Sequence, residues 1–454
     1  MNYKEIVDYL YNLPRFTKGG HMDNVKKLLA VLSDPQDSFS YIHVAGTNGK
    51  GSVCSYIERC LRLCHKKTGL FTSPHLVRVN ERIRICGQEI SDEDFMRIFN
   101  IVDTAAKGAL EKGCMLPTFF EYIYLMAMVC FREKKIDYGI IEAGLGGRMD
   151  FTNAAAHPRL TVIVPVSMDH VPVLGTTLEE IGMEKAGIIK PQVPLVCGRQ
   201  QKNVLDIISE TALRKGAPAI FLDRQKVEII SGSSKNIDFS LESRYHGKCI
   251  FRLNTAAVYQ VENAALAVLA LEELWNELKE ECLLTASDGE ILNKRNADAF
   301  LSIVSEGLAL THWPGRMELI RERFYVDGAH NEAATMAFAK TIAAGFSDCP
   351  LYLIFAVAGD KDYETMIAIL AQIPNLKGVI VTEIENGRRL SKDKVLEVFH
   401  KNWNGMICST YNIKEAVKIG LSMRGEDGIL CCVGSLYLVG SIKEIAGGNS
   451  DDKL

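Results

Sequence analysis

The apolar residues Val53, Tyr56, Ile57, Cys60, Leu61 and Cys64 fall three or four apart, on one face of a helix. The run before them, 41–45, reads as a buried strand, and the glycine-rich 46–51 as the turn between strand and helix. The same rhythm of short apolar run, glycine-containing turn and helix-period stretch continues along the chain. Runs at 137–144, 159–167 and 194–198 read as further strands, and 261–278 as a helix. Residues 226–253 are more polar and alternate in places (IDFSLESRYHGKCIFRL), which predicts a small antiparallel sheet. The segment THWPGRMELI, 311–320, breaks the pattern with Pro314 and Gly315, and a domain boundary is expected there. Beyond it the rhythm restarts in RFYVDGAHN, with a helix from Glu332, and again in LYLIFAVAGDKD, GVIVTEI and GILCCVGS. Strands alternating with helices in this way predict an α/β fold built on mainly parallel sheets.

Composition narrows the class. A chain of 454 residues exceeds one ordinary core, so two domains are expected. Hydrophobic residues at 47% and charged residues at 24% fit a globular protein and speak against a disordered or membrane one. A net charge of −4 gives no reason to expect nucleic acid as a partner. The N-terminus alternates charged and apolar residues, unlike a signal peptide, and no segment is apolar for long enough to cross a bilayer. The thirteen cysteines are scattered through apolar runs (Cys54, Cys60, Cys64, Cys130, Cys431, Cys432) without CxxC spacing. They read as free thiols in the core of a cytoplasmic protein with no membrane partner.

Five stretches carry chemistry. GTNGKGS, 46–52, sets three glycines, Lys50 and a hydroxyl between a strand and a helix start, where backbone N–H groups and the helix dipole hold phosphate. It departs from the usual phosphate-binding loop: Lys50 is followed by Gly51, and the hydroxyl that would hold Mg²⁺ comes one place late, at Ser52. In FTSPH, Thr72, Ser73 and His75 surround Pro74 and read as a metal-oxygen source or a plain turn. In IIEAGLGGRMDFTN, Glu142 closes a very apolar strand, on the side where α/β sheets bind ligands. A carboxylate there needs a cationic partner, and a hard cation such as Mg²⁺ prefers oxygen ligands. Asp169 and His170 are expected at another strand end, and Lys185 beside Glu184 on a helix, where a solvated charged face is the plain alternative. The C-terminal half offers Arg316 at the junction and Asp327, His330 and Asn331 at a strand end. An arginine and a histidine there are suited to phosphate charge, or to a salt bridge and a helix cap.

In this order HVAGTNGKGS, TSPHL, ERI, TFFE, EAGLGGRMDFTN, DHVPVLG, EKAGIIK, PGRMEL, DGAHN and GDKD closely resemble the folylpolyglutamate synthase and dihydrofolate synthase family of the Mur ligase superfamily. The likeness runs from about residue 13 to 439. The family implies a P-loop-containing, mainly parallel N-terminal ATPase domain at 1–310 and a linker at 311–317. It also implies a smaller Rossmann-like α/β domain at 318–447, with a flexible tail at 448–454. It further implies an ATP-dependent carboxylate–amine ligase that joins L-glutamate to a folate through an acyl phosphate, and a monomer acting on small molecules.

The resemblance also assigns residues. Gly49, Lys50, Gly51 and Ser52 would bind the ATP phosphates. Ser73, Glu142 and His170 match magnesium ligands, and Lys185 matches a lysine carboxylated in the family to serve the second of two Mg²⁺ ions. Asn263 and Asp327 would contact adenine and ribose, and Arg316 the phosphates. Thr118, Phe119, Phe120 and Glu121 match a pterin-binding segment, while His330 and Ser435 would meet glutamate or the γ-phosphate. Lys50, Glu142, His170, Lys185 and His330 form the expected catalytic set. Where the family often has His-Asn-Pro, this chain has His330, Asn331 and Glu332, so the helix start there is expected to differ slightly. A polar insert at 286–296 looks family-variable.

Three rival readings share parts of this pattern. A cell-wall Mur ligase is expected to carry a nucleotide-sugar domain ahead of the loop, which here begins at Gly46. A P-loop switch or kinase would normally place the hydroxyl directly after Lys50 and needs no DGAHN domain. A nucleotide-binding protein without catalysis would not need Glu142, His170 and Lys185 together. Dihydropteroate or a tetrahydrofolate tail remains open as the acceptor.

Overall fold

The computed structural model describes residues 1–14, 21–244, 246–282, 289–384 and 387–447, and of residues 21, 280–282 and 289–297 the backbone alone. The expected tail at 448–454 and residues 286–288 of the expected insert lie outside the described residues; the rest of the insert belongs to the helix Gly289–Leu310. Two compact units are present: Met1–Glu228 with Ser240–Phe251 and Glu262–Thr311, and Ile229–Phe239 with Arg252–Val261 and the chain from His312 onward.

The first unit is built on the strands β1 (Ser40–Ala45), β2 (Thr68–Phe71), β3 (Ile83–Ile85), β4 (Gln88–Glu89), β5 (Tyr138–Glu142), β6 (Leu160–Ile163), β7 (Leu195–Cys197) and β8 (Ala219–Phe221). They form one sheet in the order β4-β3-β2-β5-β1-β6-β7-β8. All neighbours from β2 to β8 pair in parallel, and β3 and β4 add antiparallel pairs at one edge. The central strands are covered on both faces, so they are apolar almost without interruption, and all five residues of β5 are buried. On one face lies the helix Phe119–Lys134, buried at every position from Glu121 to Phe131. Its apolar residues run all round the axis, as a helix inside a core requires.

Three more strands, β9 (Val227–Gly232), β10 (Ile237–Ser243) and β11 (Gly247–Leu253), make the separate small sheet expected at 226–253, in the order β11-β10-β9. The second unit's sheet holds β12 (Glu318–Arg321), β13 (Phe324–Val326), β14 (Leu351–Phe355), β15 (Leu376–Val381), β16 (Met406–Ser409) and β17 (Ile429–Val433). Their order is β12-β13-β17-β14-β15-β16, parallel except for β12 against β13. The helix expected from Glu332 spans Glu332–Gly345, capped by the Asn331 side chain, which accepts from Ala334 N–H at 2.9 Å.

One expected strand is shorter than its apolar run. The run at 159–167 gives β6 only as far as Ile163, because Pro165 has no N–H and the following backbone bonds elsewhere. Val164 O and Val166 N are taken by the Gln200 side chain at 3.2 and 2.9 Å, and Pro165 O by Thr47 N–H at 3.0 Å. Asp169 and His170 therefore lie in a loop beyond the strand and not at its end.

Ile140, fully buried in β5 between β2 and β1, tests the packing of this sheet. Ile140→Ala is expected to cost about 3 kcal/mol, read as a lower urea midpoint at unchanged slope.

Candidate active site

Sheet register gathers the ligand-side ends of β1, β2 and β5. Val44 pairs with Glu142, and Phe71 with Ile141, so Gly46, Ser73 and the Glu142 carboxylate emerge from neighbouring strands. Gly46 (φ 136°) leaves β1 where a Cβ would lie 2.7 Å from Val164 O, so only glycine fits the turn. Gly49 (φ 98°) caps the helix Lys50–Leu63, and a Cβ there would lie 2.2 Å from Asn263 Oδ1. Asn263 thus packs directly on the phosphate-type loop. Ser52 and Gly51 are buried in the first helical turn.

Glu142 is 4% exposed, and its charge is met on two sides. Ser73 N–H donates to Oε2 at 2.8 Å, and Lys50 Nζ stands 4.0 Å from Oε1 while donating to Thr47 O at 3.1 Å. Lys50, Ser73 and Glu142, picked from three separate motifs, are thereby brought together.

Lys185, on the helix Leu178–Ala186, is only 4% exposed, which excludes the solvated charged face. Its neighbour Glu184 is the surface partner, bound to Arg148 Nη2 at 2.7 Å. Burial first, then the Lys50 ammonium, push the Lys185 amine down to about 7, against the pull of Asp150, Asp169 and Glu184. His170 has the left-handed φ of 53° that caps the short helix Val171–Leu174; its ring is 42% exposed, 3.9 Å from Asp169 Oδ2.

Of the expected pterin segment, Thr118 and Glu121 bond each other in a capping box: Thr118 N–H and Oγ1 donate to Glu121 Oε2 at 2.7 and 3.0 Å. Phe119 and Phe120 supply the aromatic surface. Phe119 stacks on Tyr11 at 5.3 Å, Arg82 lies over both rings, and a Cβ on Gly144 would strike Phe120 at 2.1 Å. His75 is occupied between Arg82 Nε at 2.8 Å and Tyr11 Oη at 2.9 Å.

In the second unit Asp327 follows β13 and is 3% exposed. Its oxygens accept from Tyr259 Oη at 2.5 Å, Met317 N–H at 3.0 Å and Ala329 N–H at 2.9 Å. Burial raises its carboxyl, while the nearby Arg316 guanidinium works against that shift. Arg316 donates to Gly315 O at 3.0 Å, His330 Nδ1 lies 2.8 Å from Gly328 O, and Ser435 Oγ accepts from Tyr437 N–H at 3.1 Å.

Comparison with known proteins agrees with both halves of this arrangement. Residues 44–271 match the Mur ligase middle domain, and 315–436 the Mur ligase glutamate ligase domain. The dihydrofolate synthase/folylpolyglutamate synthase of Bacillus subtilis is 32% identical, covering 97% of this chain and 98% of the relative. The chain belongs to the folylpolyglutamate synthase/dihydrofolate synthase family of Mur ligases. It is a ligase, and the reaction of the family is ATP-dependent ligation of glutamate to folates. Among solved structures, Mycobacterium tuberculosis folylpolyglutamate synthase complexed with ADP superposes with a TM-score of 0.86 at 26% identity, over 99% of both chains. E. coli FolC in complex with DHPP and ADP gives 0.81 at 25% identity over 98% of both.

For a synthase of this family the donor set decides whether a metal fits. Among the described residues no group of three or more His, Cys, Asp or Glu side chains is placed to hold one. Ser73 and Glu142 fit a hard cation as oxygen donors. Lys185 does so only in a carboxylated form, since an amine offers no oxygen. Residues that motif reading left without a role here are Thr47 and Asp150. Thr47 Oγ1 locks the phosphate-type loop to Ser167 N and O at 3.1 Å each. Asp150 staples the loop after Glu142 by accepting from Leu145 N–H at 2.6 Å.

The low value of Lys185 predicts a pH dependence. The unfolded lysine, near 10.5, holds its proton where the folded one, at about 7, has lost it, so stability rises with pH between these values. Below about 7 the full penalty of a buried charge is present. Lys185→Met is therefore expected to be more stable than the parent at pH 6, by a margin that shrinks towards pH 10, measured by urea denaturation without nucleotide.

Proposed function

We propose that this chain adds L-glutamate to folates as a folylpolyglutamate synthase and also accepts dihydropteroate. The ligase reading is carried by the buried Glu142, held between Ser73 N–H and the lysine of a glycine loop; the dihydropteroate acceptor is supported by the 32% identity to a dihydrofolate synthase/folylpolyglutamate synthase. Residues 1–310 form the ATP-binding domain in this reading, 311–317 a linker, and 318–447 the ligase domain.

A carboxylate resists nucleophiles until one oxygen becomes a good leaving group. Phosphoryl transfer from ATP to the folate carboxylate makes an acyl phosphate. The glutamate nitrogen then bonds to the acyl carbon, the bond to phosphate oxygen breaks, and the amine gives up a proton. The N–H groups of 49–52 and the Lys50 ammonium hold the ATP phosphates, with Asn263, Arg316 and Asp327 as the further nucleotide contacts. When bound, Mg²⁺ neutralises charge on the phosphates; Ser73, Glu142, His170 and carboxylated Lys185 are its proposed ligands. Phe119 and Phe120 offer the pterin a stacking surface, within the segment Thr118 to Glu121. His330 and Ser435 are assigned to glutamate or the γ-phosphate.

The carboxylation is supported by the lowered Lys185: near neutral pH a large share is free amine, the form that attacks carbon dioxide. A cytoplasmic monomer is the matching setting. The twelve cysteines whose side chains are described are all free thiols, and no described helix is long and apolar enough to cross a membrane.

Phosphate release that needs ATP, Mg²⁺, glutamate and either dihydropteroate or tetrahydrofolate is expected. No turnover with either acceptor sinks the folate assignment. Glu142→Gln is expected to lower kcat by at least about a hundredfold with an unchanged melting temperature; near-normal activity removes Glu142 from the metal set. Lys185→Ala is expected to be comparably weak and partly rescued by a small carboxylic acid, and absence of rescue counts against the carbamate.

A further inference from the structure

One buried chain of hydrogen bonds in the first unit has no place in the chemistry above. His43 sits in the middle of β1, fully buried, where an apolar residue would serve the core better. Its Nε2 lies 2.8 Å from Thr152 Oγ1, and Thr152, also fully buried, donates its hydroxyl proton to Asp150 Oδ1. With that proton committed, the ring must be the donor to Thr152. His43 is then the neutral tautomer protonated at Nε2, which agrees with the absence of any hydrogen-bond partner for Nδ1 among the described residues. Burial, with Lys190 nearby, pushes the imidazole down to about 3, so it stays neutral at any working pH.

The chain of bonds ends on a loop with a task. Asp150, 3% exposed, accepts from Thr152 N–H at 3.0 Å and from Leu145 N–H at 2.6 Å, which folds the segment after Glu142 back on itself. That segment lies on the helix of Lys185. Arg148 N–H donates to Glu184 O at 2.7 Å, and a Cβ on Gly147 would stand 3.1 Å from Lys185 Cα and 2.6 Å from Glu184 O. There is no slack: a loop released at Asp150 would shift against the backbone that carries Lys185.

We propose that His43 is a positioning residue of the ligase, acting through Thr152 and Asp150 to hold the loop between Glu142 and the Lys185 helix in its working place. This rests on the ligase reading above. The alternative is a histidine that merely satisfies a buried threonine. The two differ in what substitution does: a structural histidine affects stability alone, whereas a positioning one affects turnover through the loop.

The test uses near-isosteric pairs in the full chain. Thr152→Val and His43→Leu remove the bond, while Thr152→Ser and His43→Gln keep a hydroxyl or an N–H donor. The first pair is expected to lower kcat about tenfold, as outer-shell partners do, with KM for glutamate within about twofold of the parent. The second pair is expected to recover most of the loss. The double variant His43→Leu/Thr152→Val is expected to be no slower than Thr152→Val alone. Amide hydrogen exchange across 143–150 is expected to quicken in Thr152→Val and return in Thr152→Ser. Unchanged kcat in the first pair, no rescue in the second, additive losses, or unchanged exchange overturns the proposal. The exchange arm needs no activity, so a parent chain inactive towards folates would refute the ligase reading while still reporting on the relay.

Discussion

A carboxylate at the end of a buried strand is the constraint from which the rest of the first unit's site follows. Glu142 cannot be 4% exposed and charged without compensation, and the compensation comes from both flanking strands. β2 must end so that Ser73 N–H reaches one oxygen, and β1 must end in a turn tight enough to bring Lys50 near the other. Gly46 and Gly49 follow from the second demand, because a side chain at either would collide with Val164 or Asn263. The displaced hydroxyl of GTNGKGS fits the same geometry. Gly51 and Ser52 are buried in the helix, and the residue whose backbone N–H meets Glu142 is Ser73, just beyond β2.

Several residues chosen for ligand chemistry also hold the fold together. Thr118 and Glu121 cap their helix, Asp327 ties Tyr259, Met317 and Ala329, and Ser435 receives Tyr437 N–H. A polar group that binds a ligand from a rigid frame needs fixed rotamers, and these bonds fix them. The cost is that a substitution at such a position removes a structural bond together with any contact to substrate, so loss of activity alone cannot separate the two.

The sequence made the covered parts of the fold legible and left the edges obscure. β1, β5, β14, β15 and β17 lie inside their sheets, carry dense apolar runs, and stand where those runs predict. β12 and β16 lie at sheet edges and are largely half-exposed, so their sequences lack the signal of a buried strand. The run at 159–167 misleads because its later residues are apolar for packing, while Pro165 and the Gln200 side chain take the backbone out of the sheet. At the site, motif order picked out Lys50, Ser73 and Glu142, which sheet register brings together, and Lys185, which is buried. Thr47, Thr152 and Gln200 were not legible, since their partners lie far along the chain and nothing local distinguishes them from ordinary polar residues.

The electrostatics around Lys185 show why burial and charge act in one direction there. An ammonium at that position loses hydration and meets the Lys50 cation, and both effects favour the neutral amine. Asp150 and Asp169 moderate this without cancelling it, because Asp150 is itself buried and spends its oxygens on Leu145 and Thr152. If the amine takes up carbon dioxide as proposed, the sign of the Lys50 interaction reverses. The cation that penalised an ammonium then attracts a carbamate anion, whereas burial and the Asp150, Asp169 and Glu184 carboxylates oppose it, so a neutralising cation at the carbamate is part of the same proposal. Lysine is the side chain that permits this, since an arginine would stay charged and a glutamate would carry its charge from the start.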